Sequence, residues 1–292
     1  MDDIISTKGL TKKYNSFTAV DGLDLNVKEG EIFGFVGPNG AGKTTSVRML
    51  TTMTPSTSGF ASVCGIDITK NYQDAKKFIG ITQQHISLDR DISVRENMVH
   101  HALLHKLPRN EIKQRIDDLS SMMGLDEYMD RTIITLSGGW KRRVSIVCSI
   151  IHRPRILFLD EPTAGLDTQS RHMLWELIRQ LNAKGTTIFL TTHYMEEAEN
   201  LCDNVGIINK GKLMAIGSPR ELCDGLGHVA VDYIDSEGRT FHQFFADRDS
   251  AQSFIRTLPN EYNVTMRSTN LEDVFLELTG RAVAVDGKVL RV

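Results

Sequence analysis

At 292 residues the chain is long enough for one large domain, or for a medium domain with a small companion. Its make-up, 40% hydrophobic and 24% charged with a formal net charge of −3, is that of an ordinary globular protein and excludes polyanion binding by overall charge. Cys64, Cys148, Cys202 and Cys223 are scattered with no C-x-x-C pair, which argues against a zinc site and suits reduced thiols in a cytosolic setting.

No apolar run reaches the ~18 residues that a membrane span needs. The best run, 144–151, holds two serines and stops at His152. The opening Met1-Asp2-Asp3 is acidic, unlike a secretory signal. Work at a membrane is therefore expected to go through a partner.

Residues 4–27 alternate as antiparallel strands do. Ile5, Leu10 and Tyr14 punctuate the first, and Leu23, Leu25 and Val27 share a face of the second. Tyr14, between them, reads either as an ordinary edge aromatic or as a ring on which adenine stacks. One stacked base is worth ~1–3 kcal/mol, enough for a single ring to matter. Residues 31–36 then read as a buried strand, 37–45 as a glycine loop, and 45–50 as the first turns of a helix. The loop, Gly37-Pro38-Asn39-Gly40-Ala41-Gly42-Lys43-Thr44-Thr45, fits G-x-x-x-x-G-K-[ST] in the strand-loop-helix setting that the phosphate-binding P-loop requires. Its glycines let amide N–H groups approach an anion, and the helix turns its positive dipole end the same way. Lys43 offers a point charge to the β- and γ-phosphates, and the Thr44 hydroxyl can ligate Mg²⁺.

After the turn-rich stretch 54–59 come a short strand at 60–66, a short helix at 71–78 and a strand end at 78–82, followed by Gln83-Gln84. Helical spacing covers 94–107 and 109–123, with Ile112, Ile116, Leu119 and Met123 on one face and Pro108 between the helices. This block interrupts the strand-helix alternation and reads as an inserted subdomain. It carries His100, His101 and His105; a solvated face is the default there, a metal site the minor reading.

Leu136-Ser137-Gly138-Gly139-Trp140 opens the next helix. Ser137 is a plausible N-cap and the glycines leave amides exposed, a second anion-binding geometry; taken alone, a glycine-rich helix entry is the plainer reading. Residues 156–159 form a buried parallel strand from whose C-terminal end Asp160 and Glu161 emerge, where open α/β sheets bind ligands. Asp160 fits a Walker B carboxylate that holds Mg²⁺, and Glu161 a base for water. The tight loop 162–167, a helix at about 169–182 and the buried strand 187–192 follow, the last ending in His193. Residues 205–208 and 212–216 read as a closing hairpin. Asn209-Lys210 invites a guanine-recognition reading, but N-K-x-D needs Asp where Lys212 stands.

Beyond Gly217-Ser218-Pro219 the pattern changes to a hairpin at 229–234 and 240–245, a helix at 247–258, a strand at 262–267 and a last helix at 271–278. No catalytic constellation occurs there. The final twelve residues are expected to be mobile.

Taken together, these residues resemble the ATPase subunits of ATP-binding cassette (ABC) transporters over about residues 4–217, with the 136–140 loop making the match specific. The resemblance implies an α/β P-loop fold with an antiparallel β subdomain, an inserted helical subdomain at about 84–153, an ATP-binding unit at 1–217 and an accessory α+β unit at 218–292. It implies that ATP is bound by Tyr14, Val20, Gly37, Pro38, Asn39, Gly40, Ala41, Gly42, Lys43, Thr44, Thr45, Ser137, Gly138 and Gly139. Thr44, Gln84 and Asp160 would serve Mg²⁺. Glu161, His193, Gln84 and Lys43 would serve catalysis, with Asp167 in the D-loop and Gln83 as rival to Gln84. Trp140 stands where the family usually has glutamine, which bears on contacts to the nucleotide sugar.

The run 270–280 looks like the ending of the drug-export, daunorubicin-resistance branch, in which the ATPase is a separate chain docked on a membrane permease. The expected picture is a head-to-tail dimer with each ATP between 37–45 of one subunit and 136–140 of the other. It would sit at the inner face of the cell membrane and drive export of a drug, lipid or other hydrophobic cargo, with no nucleic-acid partner. The alternatives are a non-transport ABC ATPase acting on ribosomes or DNA, and a nucleotide sensor without turnover.

Overall fold

A computed structural model describes residues 3–279, 283–285 and 288–290. β1 (Asp3–Tyr14) and β2 (Phe17–Lys28) pair antiparallel and bury Ile5, Leu10, Leu23, Leu25 and Val27. β3 (Ile32–Val36), buried at every position, runs into the P-loop and α1 (Lys43–Leu50). β4 (Ser58–Val63) and β5 (Ile66–Asp67) complete a four-stranded sheet of order β2-β1-β4-β5. The expected 71–78 helix divides into α2 (Tyr72–Ala75) and a 3-10 turn (Lys76–Phe78) that delivers β6 (Ile79–Thr82).

α3 (Val94–Leu104) starts at a capping box between Ser93 and Glu96. It stops short of the expected 107. Lys106 takes a left-handed φ of 58°, and the Leu107 amide reaches back to the Ala102 carbonyl at 3.0 Å, a Schellman closure. α4 (Arg109–Met123) ends at Gly124 with φ 61° and buries Ile112, Ile116, Leu119 and Met123 as its spacing requires. α5 (Gly138–Ile150), β7 (Ile156–Asp160), α6 (Thr168–Ala183), β8 (Thr187–Thr192), α7 (Met195–Leu201), β9 (Asn204–Asn209) and β10 (Lys212–Gly217) follow.

The central sheet has the order β10-β9-β3-β8-β7-β6, parallel from β9 to β6, with β10 turned back antiparallel. Strands covered on both faces read as unbroken apolar runs, and β3, β7 and β8 are buried throughout. Their alternation sends Phe33, Phe35, Phe158 and Phe189 to the β-subdomain side, where ring centroids lie 5.2–5.8 Å apart. Leu157, Leu159, Ile188 and Leu190 face the other way, into the core shared with the helical block.

The C-terminal segment contributes α8 (Pro219–Leu226), β11 (Val229–Ile234), β12 (Thr240–Phe245), α9 (Arg248–Ile255), β13 (Asn263–Ser268) and α10 (Leu271–Thr279), with sheet order β12-β11-β13. Arg267 lies between Asp232 and Asp273 at 2.6–2.7 Å and fixes the start of α10, whose Leu271 and Val274 join the main core. β14 (Val283–Val285) and β15 (Lys288–Leu290) pair as a small hairpin. Otherwise the expected mobility of the final twelve residues falls outside the described residues.

His105 is exposed, as expected of a solvated face, and also stacks its ring on His152 at 3.7 Å between centroids. The Nε2 of His152 lies 3.1 Å from the Ile79 carbonyl oxygen, so the pair joins the end of α3 to β6. Burial, then the neighbouring His105, pushes the His152 imidazole down to about 4. An unfolded histidine titrates near ~6.5. The stability contributed by neutral His152 is therefore present above that value and lost as pH falls towards about 4. The thermal midpoint of the protein should fall more steeply over that window than that of His152→Gln. Parallel curves in a pH series of melts would refute the assignment.

Candidate active site

The 37–45 loop owes its shape to close contacts that exclude side chains. A Cβ on Gly37 would lie 2.2 Å from the Ile208 carbonyl oxygen, and one on Gly42 would lie 2.6 Å from that of Ala19. Gly40 and Gly42 have φ of 79° and 110°. Asn39 and Gly40 are exposed at the tip, Pro38 and Thr45 are half-buried, and Ala41 is buried and accepts from the Gly211 amide at 2.9 Å. Gly42 is the N-cap of α1, so the first free amides of that helix open onto the loop. Lys43 donates from Nζ to the carbonyls of Gly37 at 2.7 Å and Pro38 at 3.1 Å. Burial pulls its ammonium below the usual lysine range, against the pull of Glu161 and Asp160.

β7 ends beside this loop. Asp160 is buried, and its Oδ1 accepts from Thr191 at 2.6 Å and from Thr44 at 3.3 Å. Glu161 has a left-handed φ of 48°, rare outside glycine, and its amide donates to Thr191 Oγ1 at 3.1 Å. This strained turn aims the carboxylate back at the loop. Oε1 lies 3.4 Å from Lys43 Nζ and 3.3 Å from His193 Nδ1, and Oε2 accepts from Gln84 Nε2 at 3.3 Å. Lys43, Gln84 and His193, far apart in the chain, thus converge on one carboxyl group. The rival Gln83 turns its amide to the Met53 sulfur at 3.4 Å.

The remaining expected residues lie apart. Tyr14 ends β1 with an exposed ring, 5.0 Å from Lys12 Nζ. Val20 is fully buried under the loop, its Cγ2 3.4 Å from the place a Gly42 Cβ would take, and so faces the loop backbone. Ser137 caps α5 as expected, its Oγ accepting from the Trp140 amide at 3.5 Å. Ser137 and Gly138 are exposed, and among the described residues 137–139 make no hydrogen bond to 37–45 of the same chain. A Cβ on Gly139 would lie 2.8 Å from Ser170 Oγ. Trp140 stacks on Tyr128 at 4.1 Å, with Arg143 over the indole and Arg131 over the phenol. Asp167 caps α6 through Ser170 at 2.7 and 2.9 Å.

Two residues here carry no motif signal. Thr191 is one letter in a buried strand, and its place next to the C-terminal end was the available hint. Arg142, inside α5, donates to the carbonyls of Gln83 and Gln84 at 2.6 and 2.8 Å.

A glycine loop at a helix start, with paired carboxylates at the end of another parallel strand of the same sheet, is how P-loop nucleoside triphosphatases hold and cleave a triphosphate. Similarity to known proteins narrows that class. The family described as ABC transporter matches residues 20–164. The Nod factor export ATP-binding protein I of Ralstonia nicotianae is 38% identical over 302 residues, covering 95% of this chain and 94% of that one. The daunorubicin/doxorubicin resistance ATP-binding protein DrrA of Streptomyces peucetius is 38% identical over 304 residues, covering 94% and 92%. Among solved structures, cbiO1 from Clostridium perfringens, described as part of the ABC transporter complex cbiONQ, matches with a TM-score of 0.71 at 30% identity, over 76% of this chain and 91% of that one. The chain belongs to the ABC transporter family, as an ATP-binding and ATP-hydrolysing subunit.

Gly42→Ala combines an unfavourable φ with a carbonyl clash, each costing about 1–3 kcal/mol. Nucleotide affinity should fall at least ~10-fold, since 1.4 kcal/mol is tenfold. A fluorescent-nucleotide titration that finds unchanged affinity would show that the loop tolerates a side chain there.

Proposed function

We propose that this chain powers an export system as one half of a head-to-tail ATPase dimer beneath a separate membrane permease. The convergence of Lys43, Gln84 and His193 on Glu161 carries the reading, because it gathers a phosphate-binding charge and a water-activating base at one point. The exposed Ser137-Gly138 pair, unengaged with its own P-loop, favours a second copy completing the site. The relatives' names, export of Nod factor and resistance to daunorubicin, favour outward movement of a drug, lipid or other hydrophobic cargo. Among the described residues no helix is long and apolar enough to cross a membrane, and a peripheral position on the cytoplasmic face fits that. Residues 1–217 serve as the ATP-binding unit, with the helical subdomain at about 84–153, and 218–292 as the accessory unit. The likeness to transporter subunits over nearly the whole chain favours this reading over action on ribosomes or DNA.

Lys43 divides its three donors among two carbonyls and Glu161. Phosphate oxygens compete for that ammonium and draw it off Glu161. The freed carboxylate, still held by Gln84, then accepts a proton from water in line with the γ-phosphate, as the water oxygen bonds to that phosphorus and ADP leaves. His193 donates to the same phosphate, and Tyr14 stacks the base. Thr44, Gln84 and Asp160 present oxygen atoms, the donors Mg²⁺ prefers; they would hold the ion, which would supply charge neutralisation to the triphosphate. Ser137, Gly138 and Gly139 of the other copy close over the γ-phosphate with the dipole of α5 behind them.

Glu161→Gln should lower turnover ~10²–10⁴-fold and spare ATP binding; near-normal steady-state phosphate release would remove Glu161 from the base role. Each of Lys43→Ala and Ser137→Ala should inactivate the protein alone. Mixed together they should regain about a quarter of normal activity, because half of random pairs are mixed and each holds one intact site of two. Mixtures that pair yet stay inactive would rule out the two-chain site.

A further inference from the structure

Between Thr82 at the end of β6 and Ser93 at the cap of α3, residues 83–92 form no regular structure. A segment with no ladder of its own needs other anchors. Its far end has several. Buried Asn97 donates to the Asp89 carbonyl and accepts from the Asp89 amide, both at 3.0 Å. The amides of Ile133 and Ile134 reach the carbonyls of Ile92 and Arg90 at 3.1 Å. At the near end the anchor is Arg142.

Arg142 is 4% exposed and points from α5 into the space beneath Gln83 and Gln84. Nη1 donates to the Gln83 carbonyl at 2.6 Å and Nη2 to that of Gln84 at 2.8 Å, so the planar fork spans consecutive peptides. Arg155 and Arg267 sit on carboxylates, whereas among the described residues Arg142 has no carboxylate within ion-pair distance. Asp160, further off, is the charge that offsets its burial. A buried charge spent on two neutral carbonyls is a poor way to add stability, since an apolar side chain of similar volume does as well. What it does supply is a fixed backbone under Gln84, whose amide stands 3.3 Å from Glu161 Oε2.

We propose that Arg142 is a positioning residue for hydrolysis. It holds the Gln84 backbone so that the Gln84 amide stays on Glu161 of the same chain. It therefore serves the nucleotide bound to its own P-loop, although it lies on the helix that Ser137 caps for the other copy's nucleotide. The second half of this statement rests on the two-chain site proposed above.

The mixed protein separates the two assignments. Pairing a Lys43→Ala chain with a Ser137→Ala chain leaves one working site, with Gln84 and Glu161 from the Ser137→Ala chain and the 137–139 loop from the other. Arg142→Gln placed in the Ser137→Ala chain should lower kcat roughly tenfold to a hundredfold with KM for ATP little changed, as expected of a misplaced catalytic group, whereas in the Lys43→Ala chain it should lower kcat less than ~2-fold. Arg142→Lys, which reaches one carbonyl at a time, should fall between. Equal losses from both placements, or a loss confined to the Lys43→Ala chain, would overturn the proposal. A starting pair that is inactive before Arg142 is touched would instead sink the two-chain reading. A test independent of pairing uses unmixed protein. If Arg142 acts through Gln84, Arg142→Gln added to Gln84→Ala should cost no further turnover, and additive losses would refute it.

Discussion

Parallel pairing of β3 with β8, and of β8 with β7, sets Val36 beside Thr192 and Asp160 beside Thr191. All three strands therefore end at one edge, and the groups just past their ends meet. The P-loop follows β3, Glu161 follows β7 and His193 follows β8. A one-residue slip of β7 against β8 would turn Asp160 to the other face and part Thr191 from it. The phenylalanines of one face and the leucines of the other hold the register, because a slip would exchange the two cores.

That edge brings a buried ammonium and a buried carboxylate to 3.4 Å. Lys43 alone would be hard to bury, and burial does lower its proton affinity. Glu161 also accepts from Gln84 and has His193 Nδ1 at 3.3 Å, so Lys43 is one of several neighbours. In the role proposed for Glu161, three modest contacts suit a group that gives one up: a triphosphate would take Lys43 and leave the carboxylate oriented, whereas a single tight bidentate pair would resist the exchange.

Polar contacts fasten the helical block to both ends of β6. His105 on His152 joins the end of α3 to Ile79, where β6 begins, and Arg142 joins α5 to the segment that follows Thr82, where β6 ends. Trp140, where glutamine is usual, packs against Tyr128 with an arginine on either side of the pair. Its indole stiffens the start of α5 within its own subdomain. The ring is taken up by intrachain stacking, and the Ser137 side chain keeps its cap on α5.

Local chemistry was legible in the chain. Glycines before Lys43, carboxylates after an apolar strand and Ser137 before paired glycines each show their purpose within a few residues, because steric freedom, dipole direction and capping are short-range. Boundaries suffered where a local closure won, as at Lys106, whose left-handed turn ends α3 before its apolar spacing does. What no stretch of sequence contained was the meeting of Gln84 with Glu161, of Thr191 with Asp160, of Arg142 with Gln83 and Gln84, and of His105 with His152. Those contacts join residues from different elements, and sheet order and helix packing decide them. Sequence alone singled out groups whose chemistry suits a triphosphate; the tertiary structure decided which of them meet at one carboxylate, since proximity across a fold is set by how strands align and cores fill.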